Sequence, residues 1–250
     1  ISLPAGYKWK MPLSYKPETR IIPSEVPPKF YAQHLKPYTL IAEEAYGKKI
    51  LEVGCGDGFG AAFLAKTAGE VIGIDYDRET ILRAREKYIL PNLRFMPMEA
   101  DRLEFEDNCF DLVCSFQVIE HIPEDKIARY LAEIKRVLKN DGKFYLSTLN
   151  LGHVMKSPAT YKKQPAHCRE FRLDELKGLL SQVFSKVEIR GLQLTSKHRF
   201  YQRLKKAGIF KFLGIINPVD RFYKKCGVGD FKITPDNLTK AIDFICVCGK

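Results

Sequence analysis

With 250 residues, 45% of them hydrophobic, the chain is long enough for one full α/β domain and a modest appendage. No apolar run approaches the ~18 residues of a membrane span. The net charge of +11 is divided unevenly: residues 1–150 hold 21 Lys and Arg against 22 Asp and Glu, whereas residues 151–250 hold 20 against 8, so the basic excess lies entirely in the second part.

The chain begins at Ile1, and no charged-then-apolar leader is read in its first residues. Pro4, Pro12, Pro17, Pro23, Pro27 and Pro28 predict an extended arm over residues 1–33 that wraps the domain or is loosely ordered. Apolar runs of strand length then alternate with 3.6-period segments. Strands are predicted at Lys49–Val53, Glu70–Asp75, Leu93–Met96, Phe110–Phe116, Lys143–Leu149, Val183–Arg190 and Ile242–Cys248. Between them "IARYLAEIKRVL" sets Ile127, Leu131, Ile134 and Leu138 on one helical face, and "LDELKGLL" repeats the pattern more briefly. Such alternation specifies an α/β fold, a mainly parallel sheet with helices on both faces. An irregular stretch is expected from about Leu149 to Cys168.

Seven cysteines, odd in number and without C-x-x-C spacing, sit mostly in apolar runs. Reduced, buried thiols in a cytoplasmic protein are expected in place of a disulfide framework or a zinc site, and no metal-ligating set is read. Cys246 and Cys248 fall on one side of a predicted strand, where packing is their expected role.

The stretch "ILEVGCGDGFGAAFLA" carries Glu52, Gly54, Gly56, Gly58 and Gly60 as E-x-G-x-G-x-G at the end of the first strong strand. A turn without side chains takes positive φ and lets a ligand approach the backbone, and this corner is where an open α/β sheet binds one. The dinucleotide fingerprint G-x-G-x-x-G fits poorly, since its third glycine would fall on Phe59 or Ala61. A purely structural tight turn is the competing reading. Asp75 ends the next strand in "VIGIDYD", where a carboxylate can accept both hydroxyls of a ribose.

With "MEADRLEFEDNCFDLVCSFQVIEHIPE" and "RVLKNDGKFYLSTLN" following in order, the sequence resembles the class I S-adenosylmethionine-dependent methyltransferases, most densely from Gln33 to Leu149. The resemblance implies a Rossmann-like three-layer sandwich: a seven-stranded, mostly parallel sheet with its last strand antiparallel. Residues 34–250 would form the methyltransferase domain, with a basic helical cap inserted at about 191–235. It implies S-adenosyl-L-methionine as cofactor, with Glu52, Gly54, Cys55, Gly56 and Gly58 around its methionine part and Asp75 with Tyr76 at the ribose. Glu99 and Ala100, or Asp101 as a rival, would meet the adenine, and Ser115, Phe116 and Gln117 would face the methyl group. Gln117 stands where this branch commonly has Glu, and Asn140 and Asp141 depart from its L-K-P-G-G turn.

The chain has "SFQV" in place of the (N/D)-P-P-(Y/F) signature of amine and nucleic-acid methyltransferases, which turns the expectation toward an oxygen acceptor. His121 in "VIEHIPE" is the candidate general base, against a role in orienting the short helix. "QPAHCREFRLDEL" resembles a P-x-H-x-x-E-F segment of enzymes associated with glycans and lipid-linked sugars. It offers His167, Arg169 and Glu170 as acceptor contacts, against a turn anchored by Phe171. Tyr31 and His34 in the arm would lie over the cofactor. Between Lys197 and Lys232 ten Lys and Arg are interleaved with aromatics, which suits a solvated lid, a contact with an anionic acceptor or the inner membrane face, or RNA. The favoured partner is a small-molecule or glycan acceptor; an RNA methyltransferase and a non-catalytic cofactor-binding module are the rivals.

Overall fold

The computed structural model describes residues 21–155, 157–209 and 225–250. The expectations resting on Pro4, Pro12 and Pro17, and on Phe210, Lys211, Phe212, Arg221, Phe222, Tyr223 and Lys224 of the cap, lie outside the described residues.

The first described helix, α1 (Pro28–Ala42), crosses the predicted end of the arm. Pro28 sits in its first turn, where a missing N–H costs nothing, and Ala32, Tyr38 and Ile41 are buried on its inner face. The segment from Pro28 to Gln33 is therefore helix, not extended arm. There follow β1 (Lys49–Val53), α2 (Phe59–Leu64), β2 (Glu70–Asp75), α3 (Arg78–Lys87), β3 (Leu93–Pro97), β4 (Phe110–Phe116) and α4 (Glu124–Val137). Asp77 caps α3, accepting from the Glu79 amide at 3.0 Å. Along α4, Ile127, Tyr130, Leu131, Ile134 and Val137 form the buried stripe that its period predicts. The second part adds β5 (Leu138–Leu149), α5 (Leu151–Val154), α6 (Leu173–Ser181), β6 (Lys186–Leu194), α7 (Ser196–Lys206), β7 (Phe231–Thr234) and β8 (Asp243–Gly249).

The strands form one sheet of order β3-β2-β1-β4-β5-β8-β6-β7. Pairing is parallel from β3 through β5, with Leu51 opposite Ile72 on one side and Val113 on the other. Strand β8 runs antiparallel to both β5 and β6, pairing Leu146 with Cys246 and Ile189 with the same residue. The expected antiparallel last strand is present, but the sheet has eight strands, not seven. The additional one is β7, antiparallel at the edge of β6. It lies inside residues 191–235, which were expected to be a helical cap and which also hold the last residues of β6. β5 begins before the predicted Lys143, and its register with β4 shifts between Phe110 and Leu112; the Asn140–Asp141 departure lies in this bulge, not in a free turn.

Two apolar layers flank the sheet. Leu51, Val53, Phe144 and Phe171 pack with α4 and α6 on one face, together with Cys246 and Cys248 as expected. Ile50, Cys114, Tyr38, Leu64 and Ile81 pack with α1, α2 and α3 on the other. A smaller cluster joins Ala32, Leu194, Cys226, Phe231 and Ile245. None of the seven cysteines is in a disulfide, and five are buried. Among the described residues no helix is long and apolar enough to cross a membrane.

Candidate active site

The corner after β1 is built from bare backbone. Gly54 (φ +75°) and Gly56 (φ +52°) both lie in the left-handed region, which costs most other residues roughly 1–2 kcal/mol. The amides of Gly54 and Cys55 both donate to the Ile74 carbonyl at 2.8 Å, and that of Gly58 donates to Cys55 O at 2.9 Å. The Gly56 amide donates to Asp75 Oδ2 at 3.1 Å, and Asp77 N donates to Asp75 Oδ1 at 3.0 Å. Four amides of the turn are thus spent inside the protein. At those four residues what remains for a ligand is space and carbonyl oxygen, which suits an ammonium group better than a phosphate.

Gly60 has a different purpose. A Cβ there would stand 2.2 Å from Cε1 and Cζ of Tyr38, whose hydroxyl donates to Glu52 Oε1. Glu52 also accepts the Ala61 amide, so the start of α2 is already closed by a carboxylate. Burial pushes Glu52 up to about 7, against the lowering effect of the Tyr38 bond. Its Oε2 has no hydrogen-bond partner among the described residues.

A cleft of about 620 Å³ opens at the carboxyl ends of β1, β2 and β4. Of the predicted cofactor residues, Gly54, Cys55, Gly56, Asp75, Tyr76, Glu99, Ala100, Phe116 and Gln117 line it, as do His34, His121 and His167. Glu99 is exposed, while its rival Asp101 also lines the cleft and is held by Lys126 at 3.6 Å. Other predicted residues lie off the wall. Glu52 sits behind it, 1% exposed. Gly58 admits the Phe95 ring, which a Cβ would meet at 2.7 Å. Ser115 is fully buried and donates to Val53 O at 3.0 Å, a bond between strands and not toward a ligand. Tyr31 lies edge-on to Phe59, with ring centroids 5.4 Å apart.

Sequence reasoning missed Tyr38, which reaches the corner from α1, and Asp243, which opens β8 at the cleft. Asp243 accepts from Gln33 Nε2 at 2.8 Å, and burial raises it to about 6.

At the far end of β4 a 3₁₀ turn, Ile119–His121, brings two polar side chains to the wall. His121 Nδ1 donates to Ala166 O at 2.9 Å, which leaves Nε2 as the ring's lone pair. Burial lowers the His121 pKa. The Glu120 carboxyl, 1% exposed, accepts from Thr148 Oγ1 at 3.0 Å and is raised to about 8 by burial. Cys168 N and Arg169 N both donate to the Glu120 carbonyl, at 2.7 and 3.2 Å, and pin the segment carrying His167 against this turn. The two imidazoles stand 4.9 Å apart, edge to face. His167 Nδ1 is 2.7 Å from Glu170 Oε1, and Tyr161 donates to the other Glu170 oxygen. Glu170 therefore holds His167 from behind, and does not border the cleft. Arg169 lies over the Phe171 ring at 5.2 Å and near Glu124 at 3.9 Å, so it too is off the wall. Phe171 is fully buried, the anchor that the alternative reading of this segment assigned to it.

A methyltransferase domain family matches residues 51–146, from β1 into β5. A "probable S-adenosylmethionine-dependent methyltransferase" of Mycobacterium tuberculosis is 35% identical over 152 residues, 60% of this chain and 53% of that protein. A phthiotriol/phenolphthiotriol dimycocerosates methyltransferase of Mycobacterium ulcerans is 38% identical over 101 residues, 40% of this chain and 36% of its own. The chain thus spans about half the length, or less, of these relatives. Among solved structures, an S-adenosylmethionine-dependent methyltransferase of Mesorhizobium loti superposes with a TM-score of 0.58 at 15% identity, covering 87% of this chain and 98% of that one. At that identity the superposition speaks for the fold alone. Over residues 51–146 the chain carries a methyltransferase domain, which is similar in sequence to S-adenosylmethionine-dependent methyltransferases and shares their fold.

Proposed function

We propose that the protein methylates a hydroxyl of a small molecule, sugar or lipid-linked glycan, drawing the methyl group from S-adenosylmethionine. The observation that carries this reading is that the glycine corner with Asp75 and the pair His121 and His167 line one cleft. The corner fits the cofactor: its carbonyls suit the methionine ammonium, and Asp75 brings to the cleft wall, at the end of β2, the carboxylate that suits ribose hydroxyls. Glu99 or Asp101 would take the adenine amine. When bound, the cofactor supplies a methyl group on a positively charged sulfur. The chain aligns the acceptor with it, a contribution of up to ~7–11 kcal/mol, and the Nε2 of His121 takes the hydroxyl proton.

The phthiotriol name of one relative supports a hydroxylated acceptor. Lys197, Arg203, Lys225 and Lys232 are exposed on the basic segment, and an anionic acceptor or the headgroups of a cytoplasmic membrane face suit them.

Calorimetry with S-adenosylhomocysteine, then labelled methyl transfer to a panel of hydroxyl, amine and RNA acceptors, tests the proposal. Binding should weaken by ~1–3 kcal/mol in Asp75→Ala, the scale of lost charge-assisted hydrogen bonds. Label in RNA, or binding without label in any acceptor, would refute the hydroxyl reading.

A further inference from the structure

No metal-ligating set is legible in the cysteine spacing, yet the fold brings three other donor residues together. Glu120 and His121 come from the turn after β4, and His167 comes from the loop before α6. A carboxylate oxygen of Glu120 and one ring nitrogen of each histidine all lie within 4.8 Å of one another, and all three residues line the cleft. We propose that this group binds a divalent transition-metal ion of borderline softness, zinc foremost, which takes the acceptor's hydroxyl oxygen in an open position.

Two imidazoles and a carboxylate are a donor set that zinc accepts while keeping a position for a substrate or water. Ligand atoms around a tetrahedral zinc with bonds of ~2.1 Å stand about 3.4 Å apart. Drawing the three side chains onto one ion therefore asks for modest rotations, not for a rearranged backbone. The histidines are also held in the way ligands are. Each uses Nδ1 to reach an oxygen, Ala166 O for His121 and Glu170 Oε1 for His167, so each presents the Nε2 lone pair. Glu170 is steadied in turn by the Tyr161 hydroxyl and by Gln164 N at 3.4 Å.

The inference rests on the reading that the acceptor lies in this cleft, and it changes the part played by His121. With the ion held, its Nε2 is a ligand, and the positive ion lowers the pKa of the hydroxyl it binds. The hydroxyl proton leaves to solvent. The oxygen forms its bond to the methyl carbon as the carbon–sulfur bond breaks, and that electron pair stays on sulfur as S-adenosylhomocysteine departs.

The test uses the full chain freed of metal by chelation and carrying His198→Ala. That change silences the other cluster of the described residues, His198, Cys226 and Asp230. Cobalt(II) alone is added and followed by visible absorption, and zinc alone by calorimetry, both without cofactor or acceptor. One equivalent of each should bind. His167→Ala should abolish the cobalt bands, and Glu170→Gln should weaken zinc by ~10–100-fold, while S-adenosylhomocysteine affinity is unchanged in both and reports an intact fold. Cobalt bands that persist in His167→Ala, or zinc affinity indifferent to Glu170→Gln, would overturn the site. Ion binding that follows these variants in a chain that methylates no hydroxyl supports the site and counts against the proposed activity, so the two fail separately.

Discussion

Gly60→Ala isolates the support behind the cofactor corner. Alanine is the better helix former by roughly 0.5–1 kcal/mol, so at a helix position without crowding the change would stabilise. Here the new Cβ meets the Tyr38 ring, which is 5% exposed, hydrogen-bonded to Glu52 and packed edge-on against Phe116 at 4.7 Å. Moving that ring costs the bond to a carboxyl group that burial keeps largely protonated, ~0.5–1.5 kcal/mol, and the strain of an overpacked core, ~1–3 kcal/mol. Set against the helix gain, the net destabilisation is about 1–4 kcal/mol. Urea unfolding measures it, and a double-mutant cycle assigns its cause. In a Tyr38→Ala background the obstacle is gone, and Gly60→Ala should be neutral or stabilising by up to ~1 kcal/mol. Equal destabilisation in both backgrounds would refute the idea that Gly60 exists to admit Tyr38.

Glu52 is held near 7 in the fold against an ordinary 4.5. The folded chain keeps its proton longer, so this group's stabilisation is complete below about 4.5 and is lost as pH rises through about 7. The stability of Glu52→Gln relative to the unaltered chain should therefore rise across that window in denaturation at a series of pH values; a constant difference would contradict the buried, protonated acid. His121→Ala should lower turnover by at least ~10²-fold, with S-adenosylhomocysteine affinity nearly intact; turnover within a fewfold would return His121 to orienting its turn. Reversing Lys197, Arg203, Lys225 and Lys232 to Glu should raise the acceptor KM or abolish sedimentation with anionic vesicles, and 1 M salt should mimic it, since screening then acts within about 3 Å. If neither responds, the basic segment is only a solvated surface.

Much of this architecture is written locally. β1, β2 and β4 coincide with their apolar runs because strands buried on both faces are continuous in hydrophobicity. β7 escaped because four residues, Phe231–Thr234, lie in a segment whose cations and aromatics read equally well as an amphipathic helix. The corner was legible as a cluster of glycines, but not the division of labour within it: nothing near Gly60 announces that a tyrosine from α1 fills its missing side chain. Ser115 was misplaced by direction, since a residue at a strand's end serves the cleft only if its side chain leaves the sheet. The approach of His167 to His121 depends on backbone bonds from Cys168 and Arg169 to Glu120, pairings between distant segments that carry no local signature.

Strand β8 lies between β5 and β6 although it follows both in the chain. During synthesis, β1 through β5 can pair as they emerge, and the glycine corner and Asp75 belong wholly to that early half. β6 and β7 can pair with each other, but they are joined to β5 only when β8 arrives between them, and that late, long-range closure is the slow kind. Ile242 and Asp243 of the cleft wall arrive with it. The glycine corner can thus form before the part of the cleft wall that Ile242 and Asp243 complete.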